Sequence, residues 1–211
     1  MLVRRIAFAF ALLGAAVMGL PAEAGFFRDL IANMQTNGGG NGSSFYPEEV
    51  SKNRVAPFRY RRQTVDFKTS QKPGTIVINT NQHFLYYVLG NNRAVRYGVG
   101  VGRDGFGWNG TVTVGRKAEW PTWTPPPEMI AREKKRGRIL PAQMEGGIRN
   151  PLGARALYLY QGGRDTIYRI HGTSEPWTIG LNVSSGCIRM LNKDVIDLYN
   201  RTKVGAKVVV L

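Results

Sequence analysis

The chain has 211 residues, 29 Lys or Arg against 14 Asp or Glu, and a formal charge of +15. With one cysteine and two histidines, an intramolecular disulfide cannot form, and neither a Cys₄ nor a Cys₂His₂ zinc site can be assembled. A hydrophobic content of 43% supports a core of ordinary size and excludes disorder throughout.

Residues 1–24 read as a cleaved export signal. Arg4 and Arg5 precede an uncharged apolar run from Ile6 to Leu20, and Ala22-Glu23-Ala24 supplies a small-x-small cleavage pattern. The run is shorter than the roughly 20 residues of a membrane-spanning helix, so no stable span is expected after cleavage. The charge then has wall polymers and lipid head groups as its natural polyanions. The basic residues are spread along the chain without a nucleic-acid motif, and no nucleic-acid partner is expected.

Residues 25–72 read as a flexible, basic, glycine-rich linker. Phe26 to Met34 has near-helical apolar spacing, and Asn37 to Ser44 is coil by composition. Pro47, Pro57, Arg59, Arg61, Arg62 and Lys68 follow without strong periodicity. A solvated linker and an electrostatic tether to an anionic surface are both open readings.

From Pro73 the chain turns to short β-rich runs. Thr75–Asn79 and Phe84–Leu89 predict two strands around a turn at Asn81-Gln82, and Ala94–Val101 a third. Further strands are predicted at Thr111–Val114, Ala156–Tyr160, Thr166–Ile170 and Lys207–Leu211. Two helices are predicted, over about 127–135 and 192–201. In the second, Asn192 is the expected N-cap, and Val195, Ile196, Leu198 and Tyr199 the expected buried stripe. The fold class is therefore mostly β, a sandwich or partly closed barrel with two short helices, in one domain over 73–211.

The chemistry-bearing stretch is Ile170-His171-Gly172-Thr173 followed by Ser184-Ser185-Gly186-Cys187-Ile188-Arg189-Met190. A strand can deliver His171 to its end, and a loop through Pro176 and Gly180 can return the chain to the Ser-Ser-Gly-Cys turn. A thiol needs a base, because the thiolate is the nucleophile and a free thiol is mostly protonated at neutral pH. An imidazole in reach supplies it. Gly186 allows close approach of a carbonyl and a backbone that aims N–H groups at an oxyanion. The alternative is a buried structural cysteine beside a satisfied core histidine.

These residues, with Asn192-x-Asp194 in the next helix, resemble the L,D-transpeptidase (YkuD-domain) signature. Pro73–Ile78, Tyr97–Gly100, Trp120–Pro126 and Asn150–Ala156 resemble the same family, so the likeness spans residues 73 to 211. It implies an exported cysteine acyltransferase acting on peptidoglycan, without metal or cofactor, in the periplasm. It implies Cys187 as nucleophile, His171 as general acid and base, and the Gly172 carbonyl as the group that orients the imidazole. Gly186 and Ser185 would line the oxyanion and substrate site, and Arg189 would take a structural or substrate-positioning role. Family members often carry His or Arg where this chain has Ser185.

The implied reaction joins two tetrapeptide stems, donor and acceptor, in a three-to-three cross-link through a thioester. The same acyl-enzyme could pass its acyl group to the N-terminus of an outer-membrane protein or to water. A wall-binding module without turnover is the reading from another class. His83 reads as structural. Arg132, Lys134, Lys135, Arg136 and Arg138 read as a solvated face or as a steering patch for stem carboxylates. Trp120 and Trp123, among three prolines, read as a rigid cleft wall or as core, with core favoured, and Gly102, Gly105 and Gly107 as a glycine-rich loop that lacks a phosphate-binding ending.

Overall fold

The computed structural model describes residues 56–211. The signal segment, the Phe26–Met34 helix and the glycine-rich run lie outside the described residues.

The strands are β1 (Gln63–Asp66), β2 (Ile76–Asn79), β3 (Phe84–Gly90), β4 (Arg93–Gly98), β5 (Val101–Gly102) and β6 (Gly110–Glu119). After helix α1 (Pro127–Lys135) come β7 (Arg155–Gln161), β8 (Arg164–His171), β9 (Asn182–Ser184) and β10 (Ile188–Arg189). Helix α2 (Asn192–Arg201) and β11 (Lys207–Val210) end the chain. Nine strands form one sheet in the order β1-β4-β3-β2-β11-β6-β7-β8-β10, and β5 pairs with β9 in a second. The domain is mostly β with two helices, as the sequence predicts, and its sheets are open.

The last strand joins two meanders. β11 runs parallel to β2 and antiparallel to β6, so β2–β4 and β6–β8 become one surface only when residues 207–210 slot between them. Val208 and Val210 are buried there beside Ile76, Ile78 and Val112. Both faces of β2 are covered, which is why its apolar run is continuous rather than alternating.

α1 begins with Pro127 in the first turn, where its missing N–H costs nothing, and ends at Gly137 in a left-handed conformation. It buries no residue and so lies on the surface. α2 packs Val195 and Leu198 against β7 and β8. Asn192 does not cap it. Leu191 holds that position, and the Asn192 side chain instead accepts the amide of Ala154 at 2.9 Å.

Part of the stretch read from composition as linker is ordered. Phe58–Tyr60 forms a single 3-10 turn, and β1 adds to the edge of β4 with Val65 opposite Ala94. Tyr60 is 5% exposed. Short polar strands of this kind carry little sequence signal, because an edge strand needs only one partner and no buried face.

Candidate active site

β8 delivers His171 to its C-terminal end, and β10 lies parallel beside it with Ile188 opposite Ile170 and Arg189 opposite His171. The Met190 N–H donates to the His171 carbonyl at 2.8 Å, closing this ladder. Side chains alternate faces along a strand. Ile170 and Ile188 therefore point together into the core, while Arg189, Arg169 and His171 share the opposite face, and Cys187 immediately precedes β10. The ladder thus sets Cys187, the residue before Ile188, beside the strand that ends in His171.

His171 is 5% exposed, and its Nδ1 lies 2.6 Å from the Gly172 carbonyl. A carbonyl oxygen can only accept, so Nδ1 carries the hydrogen and Nε2 keeps its lone pair. Gly172 cannot be replaced cheaply, since a Cβ there would sit 2.2 Å from Asn192 Oδ1. Burial, with the Arg189 and Arg169 charges, pushes the imidazole down to about 3 against the pull of the Gly172 carbonyl. Burial likewise pushes the Cys187 thiol up, although Arg169 and Arg189 favour its thiolate. Both shifts favour the uncharged forms, a neutral thiol and a neutral imidazole.

The Ser-Ser-Gly-Cys turn is fixed from three sides. Ser184 is buried; its hydroxyl accepts the Gly186 N–H at 3.1 Å and donates to the Cys187 carbonyl at 2.6 Å. Gly186 has φ +103, and a Cβ there would lie 2.3 Å from the Tyr168 ring. Trp108 donates its indole N–H to the Gly186 carbonyl at 3.1 Å and stacks on Tyr168 with centroids 4.8 Å apart. Arg103 Nη2 lies 3.4 Å from Ser185 Oγ. On the other side, Ile167 has φ 61, a left-handed conformation costly for a β-branched residue. It sits where β8 bulges against β7, and its carbonyl approaches Cys187 Sγ at 4.0 Å.

Arg189 pairs with Glu175 at 2.8 Å, and Arg169 with Asp165 at 2.6 Å. Glu175 belongs to the loop between His171 and Cys187, so the Arg189 ion pair ties that loop to β10. His83 bonds Asn182 at 2.7 Å, away from the cysteine. Trp120 corrects the expectation of a core tryptophan: it is 45% exposed with φ 41, and its backbone packs so closely on Gly146 that a Cβ there would lie 2.1 Å from the Trp120 carbonyl oxygen. The sequence reading missed Trp108, Tyr168, Ser184 and Arg103. Only Ser184, two residues before a glycine, carries a local signal, since serine favours such turns. Among the described residues no cluster of three or more His, Cys, Asp or Glu side chains is arranged to hold a metal ion. Among them, too, no helix is long and apolar enough to cross a membrane.

Fold and site together define a mostly β domain in which β8, ending in His171, pairs at one edge of the nine-stranded sheet with β10, just after Cys187. Residues 73–210 match the family model described as the L,D-transpeptidase catalytic domain, YkuD, and the chain belongs to that family. The chain is 40% identical over 139 residues to the probable L,D-transpeptidase ErfK/SrfK of Escherichia coli K12, covering 64% of this chain and 43% of that one. It is 38% identical over 137 residues to the probable L,D-transpeptidase YbiS of the same strain, again over 64% and 43%. The chain thus matches less than half the length of these curated relatives. A crystal structure from Brucella melitensis, described as a probable carnitine operon oxidoreductase, matches with a TM-score of 0.50 and 50% identity, covering 77% of this chain and 99% of that one.

Proposed function

We propose that the protein is a peptidoglycan L,D-transpeptidase that forms three-to-three cross-links through a thioester on Cys187. The observation that carries this reading is the pairing of β10, which Cys187 immediately precedes, with the His171 end of β8, the His171 Nδ1–H being held on the Gly172 carbonyl at 2.6 Å. That tautomer leaves Nε2 free to take the thiol proton as Sγ attacks the carbonyl of the diamino acid at position three of a tetrapeptide stem. The oxyanion is met by the Cys187 N–H, while the Gly186 N–H stays on the Ser184 hydroxyl at 3.1 Å. Collapse breaks the C–N bond to the terminal D-alanine, whose nitrogen takes the proton from His171, and a thioester remains. The side-chain amine of a second stem then attacks. It gives a proton to His171, which returns one to the departing thiolate, and the cross-link is released. The residue 1–24 segment would direct the protein to the periplasm, where these stems lie.

The test is intact-protein mass spectrometry with a disaccharide tetrapeptide, wild type beside Cys187→Ala. The expected result is an adduct at Cys187 in the wild type alone, with a dimeric three-to-three product. An adduct that yields only shortened stem assigns water as acceptor. Thioester transfer to a supplied outer-membrane protein N-terminus, in place of a second stem, assigns a protein-anchoring ligase. A fully active Cys187→Ala protein ends the account.

A further inference from the structure

A groove opens where β2 and β11 begin, beyond the last turn of α2. Its volume is about 970 Å³, and its lining includes Lys72, Arg201, Lys203 and Lys207 but no Asp or Glu. Hydrogen bonds hold its walls. Tyr87 Oη donates to the Arg201 carbonyl at 2.9 Å, and Lys207 Nζ donates to Gln71 Oε1 at 3.0 Å. The Gly205 N–H donates to the Val114 carbonyl at 2.7 Å. Asp197 neutralises Arg201 at 2.8 Å. The three lysines are exposed, and none has an ion-pair partner among the described residues. The groove therefore offers ammonium groups to solvent with no carboxylate of its own.

Its distance from the reactive residues follows from α2 and from the sheet. α2 starts at Asn192, whose Oδ1 would lie 2.2 Å from a Cβ on Gly172, and it ends at Arg201 in the groove. A helix of 10 residues extends about 15 Å. In the sheet, Lys207 is level with Thr113, Tyr160 and Asp165, while His171 is level with Ala156. Three strand spacings across and the step from Tyr160 to Ala156 along β7 separate Lys207 from His171 by about 20 Å. A donor stem held by its third residue at Cys187 reaches back only about 10 Å to its first. One stem cannot fill both places.

We propose that the groove is a second wall-binding site, taking the carboxylate of a neighbouring, unreacted stem of the same polymer while another stem reacts at Cys187. The identity of that polymer rests on the transpeptidase reading above. An uncross-linked tetrapeptide stem ends in a free carboxylate, the charge the groove lacks. Lysines meet such groups as mobile point charges and impose no single geometry, which suits repeats that arrive in many orientations. Tyr87 and the exposed Val204 add apolar lining. Each surface ion pair is weak in water. Joined through the polymer, several of them raise the effective concentration of the reacting stem at Cys187.

Binding is read by pelleting the full chain with purified peptidoglycan sacculi rich in tetrapeptide stems, in a Cys187→Ala background that removes the chemistry. The groove variants are Lys203→Gln and Lys72→Gln/Lys203→Gln/Lys207→Gln. Arg93→Gln/Lys134→Gln/Lys135→Gln is the control with the same change of charge elsewhere, and thermal unfolding checks each fold. The groove triple variant should bind about 5-fold to 20-fold more weakly, Lys203→Gln by a smaller factor, and the control within about 2-fold. Added salt should narrow the difference. Sacculi with amidated carboxylates should bind the parent and the groove triple variant equally. With Cys187 restored, the groove triple variant should form its thioester on a soluble disaccharide tetrapeptide at the parent rate, but several-fold more slowly on sacculi, through a rise in KM.

Equal pelleting of the groove and control variants overturns the site, as does undiminished binding to amidated sacculi. Tighter groove-dependent binding to vesicles containing phosphatidylglycerol than to sacculi assigns the lysines to lipid head groups and overturns it too. A protein with Cys187 that forms no thioester on either donor overturns the transpeptidase reading. The two failures are distinguishable, because carboxylate-dependent pelleting is measured without the thiol.

Discussion

The Trp108 indole and the Gly186 carbonyl are joined by an N–H···O bond of 3.1 Å. In a trans peptide the carbonyl and the following N–H point in opposite directions. Holding the Gly186 oxygen therefore also aims the Cys187 N–H, on the far side of the same peptide plane. That N–H is a group an oxyanion at Cys187 would need. Trp108→Phe keeps a ring to stack on Tyr168 but has no donor. We expect thioester formation to slow by about 10-fold or more, and stability to fall by only about 1 kcal/mol. Burst kinetics and thermal unfolding separate the two. An unchanged burst rate would mean the turn holds its orientation without the indole.

Gly186 is bound to its conformation more tightly than any side chain could tolerate. Its φ of +103 strains every L-residue, and a Cβ would lie 2.3 Å from the Tyr168 ring and 3.1 Å from the Phe106 carbonyl. Gly186→Ala should cost about 2–4 kcal/mol and abolish acylation. Part of that cost is collision with one ring, so Gly186→Ala combined with Tyr168→Ala should be less destabilised than the sum of the single variants. Chemical denaturation of the four proteins closes the cycle. Simple additivity would show that the strain is in the backbone alone.

The neutral thiol–imidazole pair sets a pH dependence of stability on both sides. A histidine in the unfolded chain titrates near 6.5, while folded His171 stays neutral down to about 3, because burial and then Arg189 disfavour the imidazolium. Below about pH 6.5 the unfolded chain therefore binds a proton that the folded chain refuses. Stability is full above that point and falls toward pH 3, by at most about 1.4 kcal/mol per pH unit. Cys187 acts at the other end. Burial lifts its thiol above the ordinary 9.0, so the unfolded chain releases its proton first, and stability is lost as pH rises through 9. Unfolding midpoints across pH for the wild type, His171→Gln and Cys187→Ser test both limbs. The acid limb should flatten in the first variant and the alkaline limb in the second. Identical profiles in all three proteins would exclude the pair as their source.

How much of this was legible in the chain depends on the range of the interaction. β2, β3 and α2 follow from local periodicity, and the His171 and Cys187 motif from residue types within one short stretch. The pairing that sets β10, and Cys187 just before it, beside β8 is a ladder only two residues long on one side, which no window of sequence contains. Trp108 lies 78 residues from Gly186 and Arg103 lies 82 from Ser185, so neither has a spacing to read. Asn192 looked like a cap because asparagine favours caps. Tertiary context claimed its side chain for Ala154 instead. Ile167 is the reverse case, where a β-branched residue predicts regular strand and the fold bends it into a bulge beside the thiol.

Tyr60 is where the misread linker bears on the site. Its ring fills the space over Gly180, where a Cβ would lie 2.1 Å from Tyr60 Cε2, and its Cβ stands 2.4 Å from where one on Gly98 would be. Gly180 ends the loop that joins His171 to Cys187, and its N–H donates to the Val99 carbonyl at 3.0 Å. Removing the ring opens a cavity under that loop. Tyr60→Ala should cost about 3–5 kcal/mol and speed amide exchange through residues 173–181, where Thr173, Thr178 and Ile179 are the other buried residues. Tyr60→Phe keeps the ring and loses only a hydroxyl that accepts from Arg59 at 2.6 Å, so it should cost about 1 kcal/mol or less. A protein shortened to begin at residue 73, the start of the family match, lacks the same ring and should behave as Tyr60→Ala does or worse. Unfolding free energies with hydrogen exchange decide it, and a shortened protein as stable as the full chain, with its loop equally protected, would reduce the strap to a passive cover.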